Sequence, residues 1–227
     1  MRVLAVIPAY NEEACLEGTL AMLTATCPDI DYLVVNDGSH DETGAIVSSL
    51  GTSGINLAVN TGLASAFRTG MKYAWRHDYD AVVQFDADGQ HLPEYIPPMA
   101  RALREERASI VIASRYLDGS RQPEGLRGVG SRIISWLIRI TTGTKITDPT
   151  SGMRMYDRDM IGWFAKNFDI APEPDTVALV LRKGGKVVEI PARMEDRQGG
   201  ESYFNLASII TYMSRTCLSI LLFQWFR

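Results

Sequence analysis

Short, mostly apolar runs alternating with longer amphipathic stretches constrain this chain more than any other feature. Val3–Ile7, Asp31–Asn36, Ala81–Phe85 and Ser109–Ala113 each read as a strand, with Asn56–Val59 as a shorter one. Helical stretches fall between them, from Asn11 to about Thr26, then Asp41–Leu50, Gly62–Arg76 and Leu92–Arg107. A strand covered on both faces has no solvent side, so it reads as a continuous apolar run rather than an alternating one. Repeated strand–helix units of this kind give an α/β fold, a mostly parallel central sheet with helices on both faces. Ligands of such sheets bind beyond the carboxyl ends of the strands. The turns Pro8–Glu12, Asp37–Ser39 and Asp86–Gln90 each follow a strand and are expected to share that edge.

The third turn carries the sharpest chemistry. Asp86-Ala87-Asp88-Gly89-Gln90-His91 leaves its strand with carboxylates two residues apart. On an extended strand residues i and i+2 project to one side, so Asp86 and Asp88 are expected to crowd two negative charges together. A cation relieves such crowding, and oxygen ligands suit a hard divalent ion such as Mg²⁺ or Mn²⁺. The same residues also fit a polar turn, with Asp favouring the turn and Gly89 giving a permissive backbone.

The rest of the composition narrows the class. With 227 residues, 46% hydrophobic and 22% charged, the chain suits one large α/β domain with a full core. A net charge of −4 excludes a general nucleic-acid binder, which needs a basic surplus. Cys15, Cys27 and Cys217 show no paired or metal-type spacing, as in a reducing compartment. Met1–Ile7 enters the first strand directly, without a signal peptide's apolar region, so a cytoplasmic-side protein is expected.

Two later segments look outward. Arg115, Arg121, Arg127, Arg132, Arg139 and Lys145 face only Asp118 and Glu124 before Asp148, a basic stretch suited to an anion. Around Ile133–Ile140 it reads as an amphipathic helix with cationic edges, or as an ordinary surface helix with solvated arginines. Phe204–Phe226 is strongly apolar but broken by Arg215, and the run after it falls short of the ~20 residues a spanning helix needs. Trp225 suits a headgroup boundary, so 204–227 is expected to be a helix at a membrane interface. A docked core helix, a dimer contact and a chain continuing into spanning segments are the other readings.

Taken in order, several motifs resemble family 2 glycosyltransferases of the GT-A (Rossmann-like) fold. They are Ile7-Pro8-Ala9-Tyr10-Asn11-Glu12, Asn36-Asp37-Gly38-Ser39 with Asp41 and Thr43, and Asp86–His91. Ser114-Arg115-Tyr116, Asp148-Pro149-Thr150-Ser151-Gly152-Met153-Arg154 and Arg197-Gln198-Gly199-Gly200-Glu201-Ser202 are similar to the dolichol-phosphate mannose synthase-like branch, which moves a sugar onto a polyprenyl phosphate. The resemblance implies a catalytic domain over 1–203, with a nucleotide half to about 115 and an acceptor half over 116–203. It also implies a role for each position. Pro8, Tyr10, Glu12, Asp37, Gly62, Asp86 and Ala87 would line the nucleotide, with Asp37 accepting from the nucleobase imide N–H. Asp86, Asp88 and Gln90 would hold Mg²⁺ or Mn²⁺. Arg115 and Arg132 would bind phosphate and act in catalysis with Asp86 and Asp88. Ser151, Arg154, Arg197 and Ser202 would serve the acceptor side, and His91 is a turn or metal-adjacent residue.

The function implied is an inverting transferase that uses a UDP-sugar, GlcNAc or glucose, and undecaprenyl phosphate at the cytoplasmic face of the membrane. A homo-oligomer or a small membrane-protein partner is compatible with it. A lipid phosphate is largely dianionic at neutral pH, since its second pKa is about 6, and such a nucleophile needs no general base. The competing enzyme extends a glycan at a sugar hydroxyl and needs a base, for which Glu173 or Asp175 are best placed. A non-catalytic membrane-docked adaptor is the third reading. The chain departs from the family pattern at Asn36, where an acid is usual, at Met153, where an aromatic is usual, and at Tyr203, where Lys is frequent.

Overall fold

The first apolar run becomes β1 (Val3–Ala9), and its side chains divide by parity. Leu4 and Val6 enter one hydrophobic core, while Val3, Ala5, Ile7 and Ala9 enter another. That division marks a strand covered on both faces. A computed structural model describes residues 1–117, 126–195 and 206–222, leaving aside the side chains of 126–127 and 206–210. After β1 come α1 (Leu16–Thr26), β2 (Asp31–Asn36), α2 (Thr43–Ser49), β3 (Gly54–Asn56), α3 (Leu63–Arg76) and β4 (Ala81–Gln84). Then follow α4 (Ile96–Glu105), β5 (Ile110–Ser114), α5 (Leu126–Thr142), β6 (Arg154–Asp157), α6 (Arg158–Lys166), α7 (Pro174–Arg182), β7 (Val187–Pro191) and α8 (Leu206–Leu221).

The strands form one seven-stranded sheet in the order β3-β2-β1-β4-β6-β5-β7. β6 runs antiparallel to both neighbours and the other pairings are parallel. The expected mostly parallel α/β sheet is therefore present. One core holds Phe67 and Met71 of α3, Ile134 and Ile138 of α5, Phe164 of α6, Val177 of α7 and Ile220 of α8. The opposite core holds Leu16, Leu20 and Leu23 of α1 with Ile96 and Met99 of α4. No helix among the described residues is long and apolar enough to cross a membrane.

Several boundaries differ from the sequence reading for identifiable reasons. β1 continues through Pro8. Val6 O accepts from Phe85 N (3.0 Å) and Ala9 O from Asp37 N (2.8 Å), so even residues of β1 turn their main chain toward β4 and odd ones toward β2. Pro8 thus lacks its N–H on the β4 side, beyond the last pair at Val6 and Gln84, where the ladder needs no donor. The helix expected from Asn11 begins only at Leu16. Asn11 sits at φ 55°, a left-handed conformation that Asn tolerates. Its main-chain N–H donates to Ser39 Oγ and its Oδ1 accepts from His40 N. The third strand lies at Gly54–Asn56, ahead of the expected Asn56–Val59, because Val34–Asn36 pair there.

Helix α3 lies against β1 at Gly70. A Cβ at this position would come within 2.3 Å of Val6 Cγ1, closer than packed carbons approach. Gly70→Ala is therefore expected to destabilise the protein by about 1–3 kcal/mol through overpacking. Calorimetry checks this as a fall in Tm of several degrees, and an unchanged Tm would contradict the close packing.

Candidate active site

Parallel strands that end at one edge bring their following turns together, and this edge gathers residues 10–12, 37–43, 86–91 and 115–116. Because β6 runs the other way, the segment before it, 148–153, arrives at the same edge. The turns after β1 and β2 are sewn to each other: Glu12 N donates to Thr43 Oγ1 (2.9 Å) and Glu13 N to Asp41 Oδ2 (3.2 Å). Tyr10 meets His40 edge-to-face, with ring centroids 6.3 Å apart. Pro8, Tyr10 and Glu12 are each partly buried here.

Asp37 is buried and already holds a neighbouring loop. Its Oδ1 accepts from Thr61 N (2.8 Å) and Thr61 Oγ1 (2.9 Å), and its Oδ2 accepts from Gly62 N (2.7 Å). Gly62 is the N-cap of α3, so this carboxylate fixes where the helix starts. Ala87 is buried, and its carbonyl accepts from Thr19 Oγ1 of α1 (2.9 Å).

The acidic turn differs from the extended geometry expected of it. β4 ends at Gln84, and the chain turns at Ala87–Asp88, so the alternation of a strand does not govern Asp86 and Asp88. Asp88 is 4% exposed and its Oδ1 accepts from Gln90 N (3.1 Å), closing an Asx turn. The Asp86 side chain stays 32% exposed. His91 secures it: the buried imidazole accepts from Asp86 N at Nδ1 (2.9 Å) and brings Nε2 to 3.5 Å from Asp86 Oδ2. Gly152 closes over this pair, where a Cβ would lie 3.0 Å from Asp86 Oδ2 and 3.3 Å from His91 Nε2. Gln90 is joined to the far side of the site, its carbonyl accepting from Glu195 N (3.0 Å).

Arg115 is held in place rather than loose at the edge. Its Nε donates to Asp148 Oδ2 (2.7 Å), and its Nη2 donates to Asp148 Oδ1 (2.8 Å) and Thr150 Oγ1 (3.1 Å). Burial opposes the charge of the guanidinium, but the hydrogen bond and charge of Asp148 outweigh it and raise its pKa. Ser131 Oγ of α5 lies 3.4 Å from Thr150 Oγ1, and Arg132, the next residue along the helix, is exposed.

Ser151 and Arg154, expected to serve the acceptor, lie beneath the loop. Ser151 is fully buried and donates to Ala113 O (2.6 Å). Arg154 is 2% exposed and donates from Nε to Ser151 O (2.9 Å) and from Nη2 to Pro149 O (2.7 Å). A guanidinium so enclosed braces the carbonyls of Pro149 and Ser151 from beneath the loop. Arg197 and Ser202 lie outside the described residues, as do Tyr203 and Trp225.

The carboxylates beside α7 are tied to the C-terminal helix. Glu173 Oε2 accepts from Tyr212 Oη (2.6 Å), and Asp175 Oδ2 from Ser219 Oγ (2.6 Å). Burial, then the charge of Glu173, raises the Tyr212 phenol far above its ordinary pKa, so it remains the donor. Glu173, Asp175 and Ser219, together with Asp169, Arg215 and Thr216, line a cavity of about 220 Å³. α8 is thus docked on α7 and α5, while Leu218, Leu221 and Leu222 stay exposed.

Sequence reasoning missed Glu189 of β7, whose oxygens accept from Thr147 N (2.7 Å) and Asp148 N (2.8 Å). Only the charge within an otherwise apolar strand marked it.

The fold and the acidic turn define the class, a glycosyltransferase of the GT-A type. The chain matches the family model described as Glycosyl transferase family 2 over residues 4–162, and it belongs to that family. An undecaprenyl-phosphate mannosyltransferase of Micrococcus luteus is 33% identical over 219 residues, covering 89% of this chain and 87% of that protein. A polyprenol monophosphomannose synthase of Mycolicibacterium smegmatis is 30% identical over 224 residues, covering 92% and 83%. Glucosyl-3-phosphoglycerate synthase from Mycobacterium tuberculosis, solved with phosphoglyceric acid, superposes with a TM-score of 0.69 at 19% identity, over 97% of this chain and 79% of that one. The same enzyme has also been solved with Mn²⁺ and UDP.

Proposed function

We propose that this chain moves a sugar from a nucleoside diphosphate sugar to the phosphate of a polyprenyl lipid at a membrane surface. The residues suit a divalent ion. Asp86 and Asp88 offer hard oxygens and Gln90 an amide oxygen, while no group of three His, Cys, Asp or Glu among the described residues forms a metal cage. Mg²⁺ characteristically uses one or two carboxylates with substrate phosphates, which fits such a site. When bound, the ion neutralises charge on the departing diphosphate. Pro8, Tyr10, Glu12, Asp37, Gly62 and Ala87 line the nucleotide, and a base meets Asp37 through the acceptor capacity that Gly62 N leaves on Oδ2. Arg115 and Arg132 meet phosphate oxygens of the lipid acceptor, for which a planar guanidinium is suited. A lipid phosphate oxygen forms the new bond at the anomeric carbon as the bond to the diphosphate breaks, inverting configuration.

The observation that carries the acceptor is the exposed apolar stripe of α5 beside Arg132, which suits a lipid, while Glu173 and Asp175, the carboxylates a sugar hydroxyl would need as base, pair with α8. Each is engaged by a hydroxyl of α8 at 2.6 Å. A dianionic phosphate requires neither. The names of the two bacterial relatives point to the same acceptor. Membrane contact is supported by α5, where Val129, Ile133, Trp136 and Ile140 make an exposed apolar stripe, Trp136 being 60% exposed. Arg132 and Arg139 flank it, a pattern suited to an anionic lipid surface.

UDP-GlcNAc or UDP-glucose is the expected donor, and mannose in the relatives' names puts activated mannose in the same assay. Asp175→Asn preserves an acceptor for Ser219 and is expected to change kcat less than about tenfold with polyprenyl phosphate. A loss beyond ~10²-fold, the scale of a missing general base, would favour a hydroxyl acceptor.

A further inference from the structure

We propose that Glu189 is a positioning residue of the acceptor side, setting the Arg115 guanidinium through Asp148. The inference rests on the lipid-phosphate reading only in the choice of acceptor. Glu189 stands on the edge strand β7, paired with Ile112 of β5. Its two oxygens accept from the consecutive main-chain N–H groups of Thr147 and Asp148, at 2.7 and 2.8 Å. The Asp148 side chain faces the other way, taking Arg115 at Nε, at Nη2 and at its main-chain N–H (3.0 Å). One peptide is therefore gripped from both sides, by a carboxylate on its N–H and by a guanidinium on its side chain.

This arrangement fixes direction as well as distance. Asp148 is fully buried, so it cannot turn to water, and its orientation follows the backbone that Glu189 holds. Thr150 ties the same carboxylate to Arg115 Nη2 and lies against Ser131, one residue from Arg132. Without Glu189 two N–H groups lose their acceptors and the 147–150 loop can rotate. Arg115 then keeps its partner but not its aim. Misplacement of about 1 Å by a residue outside the chemistry can cost on the order of 10²-fold in rate.

The test is a double-mutant cycle on the full chain with undecaprenyl phosphate in detergent micelles. Glu189→Ala is expected to lower kcat/KM for the lipid about ten- to hundredfold, while the Kd of UDP with Mn²⁺ stays within about twofold. In an Arg115→Lys background the same change is expected to cost less than about threefold, because the group it aims is already altered. Glu189→Asp, which keeps two acceptor oxygens, restores part of the loss. Should Glu189→Ala fail to fold, Glu189→Gln carries the test with one acceptor oxygen kept. Equal losses in UDP affinity and lipid kcat/KM, or full multiplication with Arg115→Lys, overturn the proposal. If the wild type labels a saccharide and not the lipid, the lipid-phosphate reading falls, and the same cycle on that saccharide decides Glu189.

Discussion

Asp86→Asn and Asp88→Asn are each expected to lower kcat/KM for the nucleotide sugar by about 10³-fold, the scale of removing one preorganised electrostatic contact to a developing charge. Neither change should unfold the turn. Asn at 88 keeps an oxygen for Gln90 N, and Asn at 86 leaves the main-chain bond from residue 86 to His91 intact. What is lost is negative charge at a point where a divalent ion and a diphosphate meet. Titration calorimetry therefore separates the cause: in the wild type Mn²⁺ strengthens UDP binding, and in either variant that gain disappears while Tm moves by only a few degrees. A variant whose UDP affinity still rises with Mn²⁺ as in the wild type would contradict the assignment of these carboxylates to the metal.

The second large effect falls on stability. Asp148→Ala removes the buried partner of Arg115, whose side chain is 32% exposed. Breaking a fully buried pair destabilises by about 3–5 kcal/mol, and the access of Arg115 to water reduces this to about 2–3 kcal/mol. At ~2–4 °C per kcal/mol for a chain of this size, calorimetry should read a Tm lower by about 5–10 °C. The loss should exceed that of Asp148→Asn, which retains one oxygen for Arg115. A fall below about 2 °C would show that the loop is held without this pair.

The parallel core strands were legible because their apolar runs are undiluted, and the edge they share brought the turns at Glu12, Asp37 and Asp86 into one reading, while Arg115 came from the motif resemblance. β6 and β7 were not. Arg154-Met155-Tyr156-Asp157 is short and charged at both ends, and its arginine is buried only because the carbonyls of 149 and 151 receive it. Motif order identified Ser151 and Arg154 but not that they lie beneath the loop. The same limit applies to the acidic turn: sequence located the two aspartates, whereas their separation into a partly exposed Asp86 and a buried Asp88 depends on where β4 ends. Asn36 shows the opposite case, a departure the structure explains. Its amide donates to Asn56 Oδ1 (2.7 Å) and accepts from Ser39 N (3.1 Å), and an ionised aspartate has no hydrogen to donate.

Transfer to a lipid phosphate is tested most directly by product extraction. The chain is incubated with Mn²⁺, undecaprenyl phosphate and, in separate reactions, radiolabelled UDP-GlcNAc, UDP-glucose or activated mannose. The account predicts label in the organic phase with one of these donors, dependent on both the lipid phosphate and the metal. Label appearing only on an added saccharide, with none in the lipid extract, would contradict it.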